Sequence, residues 1–424
     1  MRRIVRRKES RMRTPVIQFL CFFLFLGFYG CTNSTPTPAV DPMSNSGQFR
    51  LLPNDPVSND SAAVHLAEGV IIPAFPGAAY ELSFISSDTS SAPDLRLYRL
   101  IPQGNAYAYT NDQVVKAKRS AGRWVYSFTC TLAGTANWIT VLEQKGKRFS
   151  GTLSSLTLTA TGNQSNHFSI VLWLTGQYVS PDSGQSSDQL AKALLAEFRA
   201  VYGPAGIVVD SIYVRKATSH PIVGGNYSDK VKVISTGLES RFDSLGYGLT
   251  GVEASALDLV LVTAFSETGL LGESPLFGLS LEAGESGFVV IATERRSDTG
   301  TGYIQVGAED IVTTAVHEVG HFFGLRHTTA TTRDMQSAGD YSLTEDGLRD
   351  TPWCLGLNAL VGDRFNIQST HGTLARHWLV GLSSALACPD ANNLMFPYAV
   401  SGSLDTLSPE QGAMLLKTLR LFPH

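Results

Sequence analysis

Residues 317–327 read HEVGHFFGLRH. His317 and His321 are four positions apart, so on an α-helix their side chains lie on the same face, one turn apart. Gly324 can adopt a positive φ at little steric cost and lets the backbone turn out of the helix. His327 then returns towards the first two histidines. The spacing therefore predicts a helix that ends near Gly324 and a cluster of three imidazoles.

Three imidazoles in this arrangement are typical of a zinc site. Each ring can give one nitrogen to Zn²⁺ at about 2.0–2.1 Å, and three protein ligands leave the fourth position for water, as in catalytic sites. We predict Zn²⁺ as the cofactor, held by His317, His321 and His327. Glu318 is predicted to act on the water as general base and then general acid. A structural zinc site, which leaves Glu318 unexplained, and unrelated surface histidines are the alternatives.

Helical and strand-like segments alternate on the N-terminal side of this motif. Ser187 is a plausible N-cap for a helix with one apolar face, and the zinc helix is expected to begin near Ala308. Apolar runs typical of strands lie at 207–214, 257–265 and 288–293. This pattern predicts an α+β domain over residues 187–424 with a twisted mixed sheet and an active-site helix. Residues 288–291 are expected to form an edge strand that can pair with an extended substrate.

The extended histidine motif resembles that of the metzincin metallopeptidases, and the pappalysin and cytophagalysin-like family is the most similar. Three further features carry this resemblance. Residues 345–352, EDGLRDTP, resemble an acidic segment of that family, and Cys354 and Cys388 lie where the family has cysteines. Residues 407–411, LSPEQ, and Met414 resemble its closing helix. The similarity covers about residues 187–424 of the printed chain and is strongest after residue 317.

The resemblance implies a metzincin-like fold and cleavage of peptide bonds within protein or peptide substrates. It also implies a turn below the metal, with Met395 of the segment NLMFPY as a soft apolar base under the ligands. A tyrosine two residues after this methionine often stabilises the oxyanion in the clan. Here Tyr398 is three residues after Met395, and we assign it as a candidate oxyanion donor.

The cysteines and acidic residues of the C-terminal region suggest two further features. Cys354 and Cys388 are the natural disulfide pair, which would close a loop of about 35 residues. Three free thiols, including Cys130, are the alternative. Four carboxylates are possible Ca²⁺ ligands, although a solvated acidic loop fits them equally well: Asp340, Glu345, Asp346 and Asp350.

The N-terminus resembles a bacterial lipoprotein signal. Seven basic residues and one acid lie in residues 1–30, where an apolar stretch leads to FYGC, and Cys31 is the expected lipidation site. Residues 31–61, which begin with a Ser/Thr/Pro-rich run, are expected to form a flexible tether. We therefore expect export to the bacterial cell envelope or cell surface, with membrane attachment through Cys31. Secretion after cleavage nearby is the alternative.

Residues 62–180 show short alternating apolar runs separated by turn residues, which predicts an all-β sandwich of unknown role. The run at residues 168–174 is counted among its strands. Overall, 43% of the 424 residues are hydrophobic and 17% are charged, as in folded proteins. Without residues 1–30, 26 basic and 36 acidic residues remain, a net charge of −10. This charge argues against a nucleic-acid partner.

Together these patterns predict an exported, lipid-anchored zinc metalloendopeptidase with Glu318 as its general base and acid. Two other functions remain open. The protein could be a surface-binding or adhesin lipoprotein with an inactive zinc domain, which the intact Glu318 disfavours. It could also be a metal-dependent hydrolase of a non-peptide bond, which the methionine turn disfavours.

Overall fold

The computed structural model describes the following residues: 51–52, 69–74, 78–86, 90–103, 106–129, 136–144, 147–148, 153–161, 165–176, 178, 184–220, 222–226, 233–234, 242, 245–246, 248–267, 269–274, 281, 288–297, 302–328, 348, 350–351, 374–375, 389–397, 400–401 and 405–422. The predicted signal peptide of residues 1–30 and most of the predicted tether of residues 31–61 lie outside this set.

Two antiparallel sheets form from the N-terminal strands. The first contains β1 (Leu51–Leu52), β2 (Gly69–Ala74), β4 (Asp94–Gln103), β5 (Ala106–Val115), β8 (Ala136–Gln144) and β9 (Lys147–Arg148). The second contains β3 (Ala79–Ser86), β6 (Lys118–Ser120), β7 (Arg123–Thr129) and β10 (Leu153–Thr161). The strands run in the order β1-β2-β8-β4-β5, with β9 beside β8, and in the order β10-β3-β7-β6.

The two sheets share one hydrophobic core. Leu95 and Leu97 of the first sheet belong to the same buried cluster as Phe84 and Tyr126 of the second. Alternate residues of a strand point to opposite faces, and this alternation supplies one apolar face to each sheet. The rings of Phe84 and Tyr126 stack with their centroids 5.5 Å apart. The hydroxyl of Tyr126 donates a hydrogen bond to the carbonyl of Pro93 at 2.8 Å.

A third sheet carries the candidate site, and it contains β11 (His167–Leu174), β12 (Val208–Lys216), β14 (Leu257–Val262), β16 (Gly272–Glu273) and β17 (Val289–Ala292). Its order is β12-β11-β14-β17-β16, in which β16 runs antiparallel to β17 and the other pairs are parallel. The run at residues 168–174, predicted to be a strand of the N-terminal β domain, instead pairs with β12 and β14, so that prediction is wrong. Residues 168–174 are buried on both faces, as expected for an interior parallel strand.

The edge of the third sheet also differs from the prediction. Residues 289–292 lie between β14 and β16, so the predicted edge strand at 288–291 is an interior strand. Among the described strands, the order of this sheet ends at β12 on one side and at the two residues of β16 on the other. The short length of β16 and its lack of an apolar pattern explain why the sequence did not reveal it.

Short strand pairs complete the described sheets. They are β13 (Val233–Ile234) with β15 (Ala264–Phe265), β18 (Glu294–Arg296) with β19 (Tyr303–Gln305), and β20 (Leu374–Ala375) with β21 (Val400–Ser401).

The described part of the chain contains three α-helices: α1 (Ser187–Tyr202), α2 (Ala308–Phe322) and α3 (Pro409–Leu419). The N-cap of α1 is Ser186, one residue before the predicted Ser187, and its side chain accepts from the backbone N–H of Gln189. The helix α2 begins at Ala308, as the sequence indicates. None of the described helices is long and apolar enough to span a membrane.

The helices α1 and α2 pack on the face of the third sheet formed by alternate residues of β11, such as Ile170 and Leu172. The hydroxyl of Tyr202 on α1 donates a hydrogen bond to the carbonyl of Val316 on α2 at 2.8 Å. After α3 the chain reaches both cores. Leu421 is buried in the core of the first two sheets, and Phe422 belongs to the core that supports α2.

Candidate metal centre

The described residues bring His317, His321 and His327 together. The Nε2 atom of His327 lies 3.3 Å from Nε2 of His317 and 3.2 Å from Nε2 of His321. The first two side chains come from the last turns of α2, where their four-residue spacing places them on one face. Within the described ranges this is the one group of three or more His, Cys, Asp or Glu residues close enough to hold a metal ion.

The turn after α2 explains how His327 reaches the other two. Gly324 has a φ of 94°, a conformation that L side chains rarely adopt. The N–H of Gly324 donates to the carbonyl of His321 at 2.8 Å, and the N–H of Leu325 donates to Gly320 at 2.9 Å. These bonds close the helix end and reverse the direction of the chain. The third histidine therefore approaches from beyond the helix terminus.

Hydrogen bonds define the tautomers of the two helical histidines. The Nδ1 atom of His317 lies 2.6 Å from the carbonyl oxygen of Leu394, and Nδ1 of His321 lies 2.7 Å from that of Leu325. A carbonyl oxygen only accepts, so each Nδ1 carries the proton. In a neutral ring the Nε2 atom then offers a lone pair. Both lone-pair nitrogens lie next to His327, an arrangement that suits a shared cation.

The distances fit zinc. Two nitrogens bound at 2.0–2.1 Å in tetrahedral geometry lie about 3.3 Å apart. The two Nε2 separations of 3.2 and 3.3 Å are close to that value. The two carbonyl acceptors also supply the outer contacts that orient metal-binding histidines. The donor set and its surroundings therefore fit Zn²⁺, with three imidazole nitrogens as the protein ligands.

Met395 lies directly beneath the ligand helix and is fully buried. A methyl group at Gly320 would come within 2.6 Å of the Met395 sulfur, so the glycine allows this close approach. The carbonyl of Met395 accepts a hydrogen bond from the N–H of Thr328 at 3.0 Å. The methionine segment, residues 393–395, therefore contacts Gly320 just before His321 and Thr328 just after His327.

Glu318 belongs to α2, and its side chain packs against the strand β16 and is only 9% exposed. A methyl group at Gly272 would lie 2.5 Å from Cγ of Glu318 and 2.7 Å from its Oε1 atom. Burial, and secondly the nearby carboxylate of Glu273, raise the pKa of Glu318 to about 8. A divalent cation held by the three histidines would lower this pKa, because a positive charge favours the carboxylate. Glu318 is thus a buried ionisable group that adjoins the ligand His317 in sequence and packs against β16.

Several residues of the site were not found by sequence reasoning. Gly272 and Glu273 lie next to Glu318, and their two-residue strand has no recognisable motif. Asn393 and Gln411 exchange side-chain hydrogen bonds behind the methionine segment. The sequence motif at residues 407–411 includes Gln411 at the spacing of a helix capping box, but it did not predict the contact of Gln411 with Asn393.

Asp350, one of the four carboxylates predicted as Ca²⁺ ligands, lies at the start of α3. Asp350 accepts hydrogen bonds from the hydroxyl of Ser408 at 2.7 Å and from the N–H of Glu410 at 2.8 Å. Asp350 therefore serves the N-terminus of α3, where a negative charge is favourable. The remaining sites predicted from the sequence lie outside the described residues: Cys31, Cys130, Asp340, Glu345, Asp346, Cys354, Cys388 and Tyr398.

No protein-family model matches the chain, and no curated protein matches its sequence. Among solved structures, the chain was compared with an acetyl xylan esterase (Est2A) from the rumen bacterium Butyrivibrio proteoclasticus, with a TM-score of 0.10 and 10% sequence identity. That alignment covers 59% of this chain and 66% of the esterase, slightly less than two thirds of its length. A similarity at this level carries no argument about fold or function.

Proposed function

We propose that this protein is a zinc-dependent metalloendopeptidase of the metzincin type. The observation that carries the proposal is the convergence of three Nε2 atoms, with the Nδ1 atoms of His317 and His321 bound to carbonyl oxygens. A buried carboxyl group at Glu318, the residue after His317, supports hydrolysis over a purely structural site. When bound there, zinc supplies Lewis acidity, which polarises a carbonyl group and lowers the pKa of water.

The residues of the chain have separate tasks in this proposal. His317, His321 and His327 hold the metal. Glu318 accepts a proton from the attacking water and donates it to the leaving amine, so that one carboxyl group serves as base and then as acid. The burial of Glu318 limits its access to solvent and strengthens its electrostatic interaction with the reacting groups. Met395 supports the ligand helix from below through its contact with Gly320.

The substrate is proposed to bind as an extended peptide along the edge of the third sheet. An edge strand presents N–H and C=O groups that an extended chain can pair with. Within the described order β16 is one of the two end strands, and Gly272 on it adjoins Glu318. A peptide paired with β16 therefore passes the proton-transfer group. Binding through the backbone suits cleavage within a chain, and protein or peptide is the proposed substrate class.

Activity and metal content test the proposal together. The purified chain lacking residues 1–31 is expected to digest casein, to lose this activity with a zinc chelator and to regain it when zinc is added. Glu318→Ala should retain one zinc per chain and lose about 10²–10⁴-fold in kcat/KM, whereas His327→Ala should lose zinc. Wild-type turnover by Glu318→Ala would reject its proposed role. Zinc binding without hydrolysis of any peptide library would favour a binding protein or a hydrolase of another bond.

The proposed location rests on the sequence alone. We propose export and attachment of the mature chain to the bacterial cell envelope through a lipid on Cys31. Metabolic labelling with a fatty acid should mark the wild-type protein and leave Cys31→Ala unlabelled. Unlabelled wild-type protein in the culture medium would instead indicate simple secretion.

A further inference from the structure

Gln411, at the start of α3, has a fully buried side chain. A buried amide requires hydrogen-bond partners for both its oxygen and its nitrogen. Its Oε1 atom accepts from the backbone N–H of Ser408 at 2.9 Å and from Nδ2 of Asn393 at 2.7 Å. Its Nε2 atom donates to Oδ1 of Asn393 at 3.0 Å. Gln411 therefore caps its own helix and also forms a reciprocal amide pair with Asn393.

The Asn393 side chain continues this network towards the metal centre. Its Oδ1 atom accepts a second hydrogen bond, from the backbone N–H of Met395, at 2.8 Å. The amide pair thus holds the position of Asn393, and Asn393 in turn holds the backbone of the methionine segment. These bonds connect residues 18 positions apart in the chain, which a helix cap alone does not do.

The methionine segment contacts the surroundings of all three histidines. The carbonyl of Leu394 accepts from Nδ1 of His317, and the carbonyl of Met395 accepts from the N–H that follows His327. The Met395 sulfur lies against Gly320, the residue before His321. A shift of residues 393–395 would therefore change the direction of the His317 ring and the position of His327 together.

We infer that Gln411 is a positioning residue for the metal centre: through its amide pair with Asn393 it holds the methionine segment in the place where Leu394 orients His317. This inference rests on the proposed function and extends the site to a helix that contributes no ligand. Outer contacts of this kind commonly affect metal affinity by about 10–100-fold. Loss of the amide pair is therefore expected to weaken zinc binding, which can be measured without an activity assay.

Three variants separate positioning from helix capping. Gln411→Met has nearly the same volume and removes both bonds of the amide pair. Gln411→Glu keeps an oxygen that can accept from Ser408, as in the usual capping box, but places an acceptor opposite Oδ1 of Asn393. Ser408→Ala is the matched control, because it removes the hydroxyl that accepts from the N–H of Gln411 and leaves the amide pair intact. Asn393→Ala tests the other side of the pair if either Gln411 variant does not fold.

The measurement is competition for zinc between the metal-free protein and a chromophoric chelator, with the Co²⁺ visible spectrum as a second readout. We expect Gln411→Met and Gln411→Glu to bind zinc about 10–100-fold more weakly than the wild type and to alter the Co²⁺ bands. Ser408→Ala should match the wild type in both. Wild-type zinc affinity in the Gln411 variants, or an equal loss in Ser408→Ala, would overturn the inference. A wild-type chain that binds no stoichiometric zinc would overturn the proposed function as well.

Discussion

Replacing Gly272 with alanine tests how closely the edge strand β16 approaches Glu318. The added methyl carbon would lie 2.5 Å from Cγ of Glu318, 2.7 Å from its Oε1 atom and 2.8 Å from Cγ2 of Thr314. Carbon atoms in ordinary contact are about 3.5–4.0 Å apart, so β16 and Glu318 must separate by roughly 1 Å. A displacement of that size at a reacting group can reduce the rate about 100-fold. This corresponds to about 2.7 kcal/mol of transition-state stabilisation.

The assay is kcat/KM on a fluorogenic peptide, with bound zinc measured on the same samples. We expect Gly272→Ala to lose about 100-fold in kcat/KM and to retain one zinc per chain. The three atoms nearest to the added methyl group belong to Glu318 and Thr314, and none belongs to a histidine. Gly302→Ala is the matched control, since nothing lies within 4 Å of the methyl group that it would add. Unchanged kcat/KM in Gly272→Ala would refute the reasoning that β16 confines Glu318.

Three further predictions concern stability. Removing zinc should lower the free energy of unfolding by about 4 kcal/mol at a free zinc concentration of about 1,000 times Kd, measured as a fall in Tm after chelation. Phe198→Ala should cost about 3–5 kcal/mol in urea unfolding, because this ring is fully buried against Phe168 and Tyr202; a loss below 1 kcal/mol would contradict that packing. Burial raises the pKa of the Tyr126 hydroxyl above 10, so the stabilising contribution of this hydroxyl is complete below pH 10 and is lost as the pH rises above 10. The unfolding free energy of Tyr126→Phe should therefore decline less steeply above pH 10 than that of the wild type. An unchanged decline would argue against a buried hydroxyl.

The clustering of the three histidines could be predicted because their arrangement is encoded locally. His317 and His321 share a helical face through their spacing, and Gly324 supplies the positive φ that the next turn needs. His327 follows three residues later and has little freedom in where it can go. Eleven consecutive residues therefore carried enough information to predict the histidine cluster and the carboxylate next to it in sequence.

Strand pairing was harder to predict. The apolar run at residues 168–174 is compatible with a β-sandwich or with an interior parallel strand, and its hydrogen bonds with β12 and β14 decide for the latter. The run at 288–291 has the composition of a strand, but composition does not say which neighbours it has. Only the pairing with β16 shows that it is not an edge.

The sequence by itself determined the three histidines, the adjacent Glu318 and the helix that carries them, because a helix relates residues three and four apart in a fixed way. Only the tertiary structure decided what surrounds them: Gly272 against Glu318, Leu394 on His317, and the amide pair of Asn393 with Gln411. These contacts join segments that are 18 to 77 positions apart in the chain. Their formation depends on how the sheet, the helices and the turns pack together, and no local spacing specifies that packing.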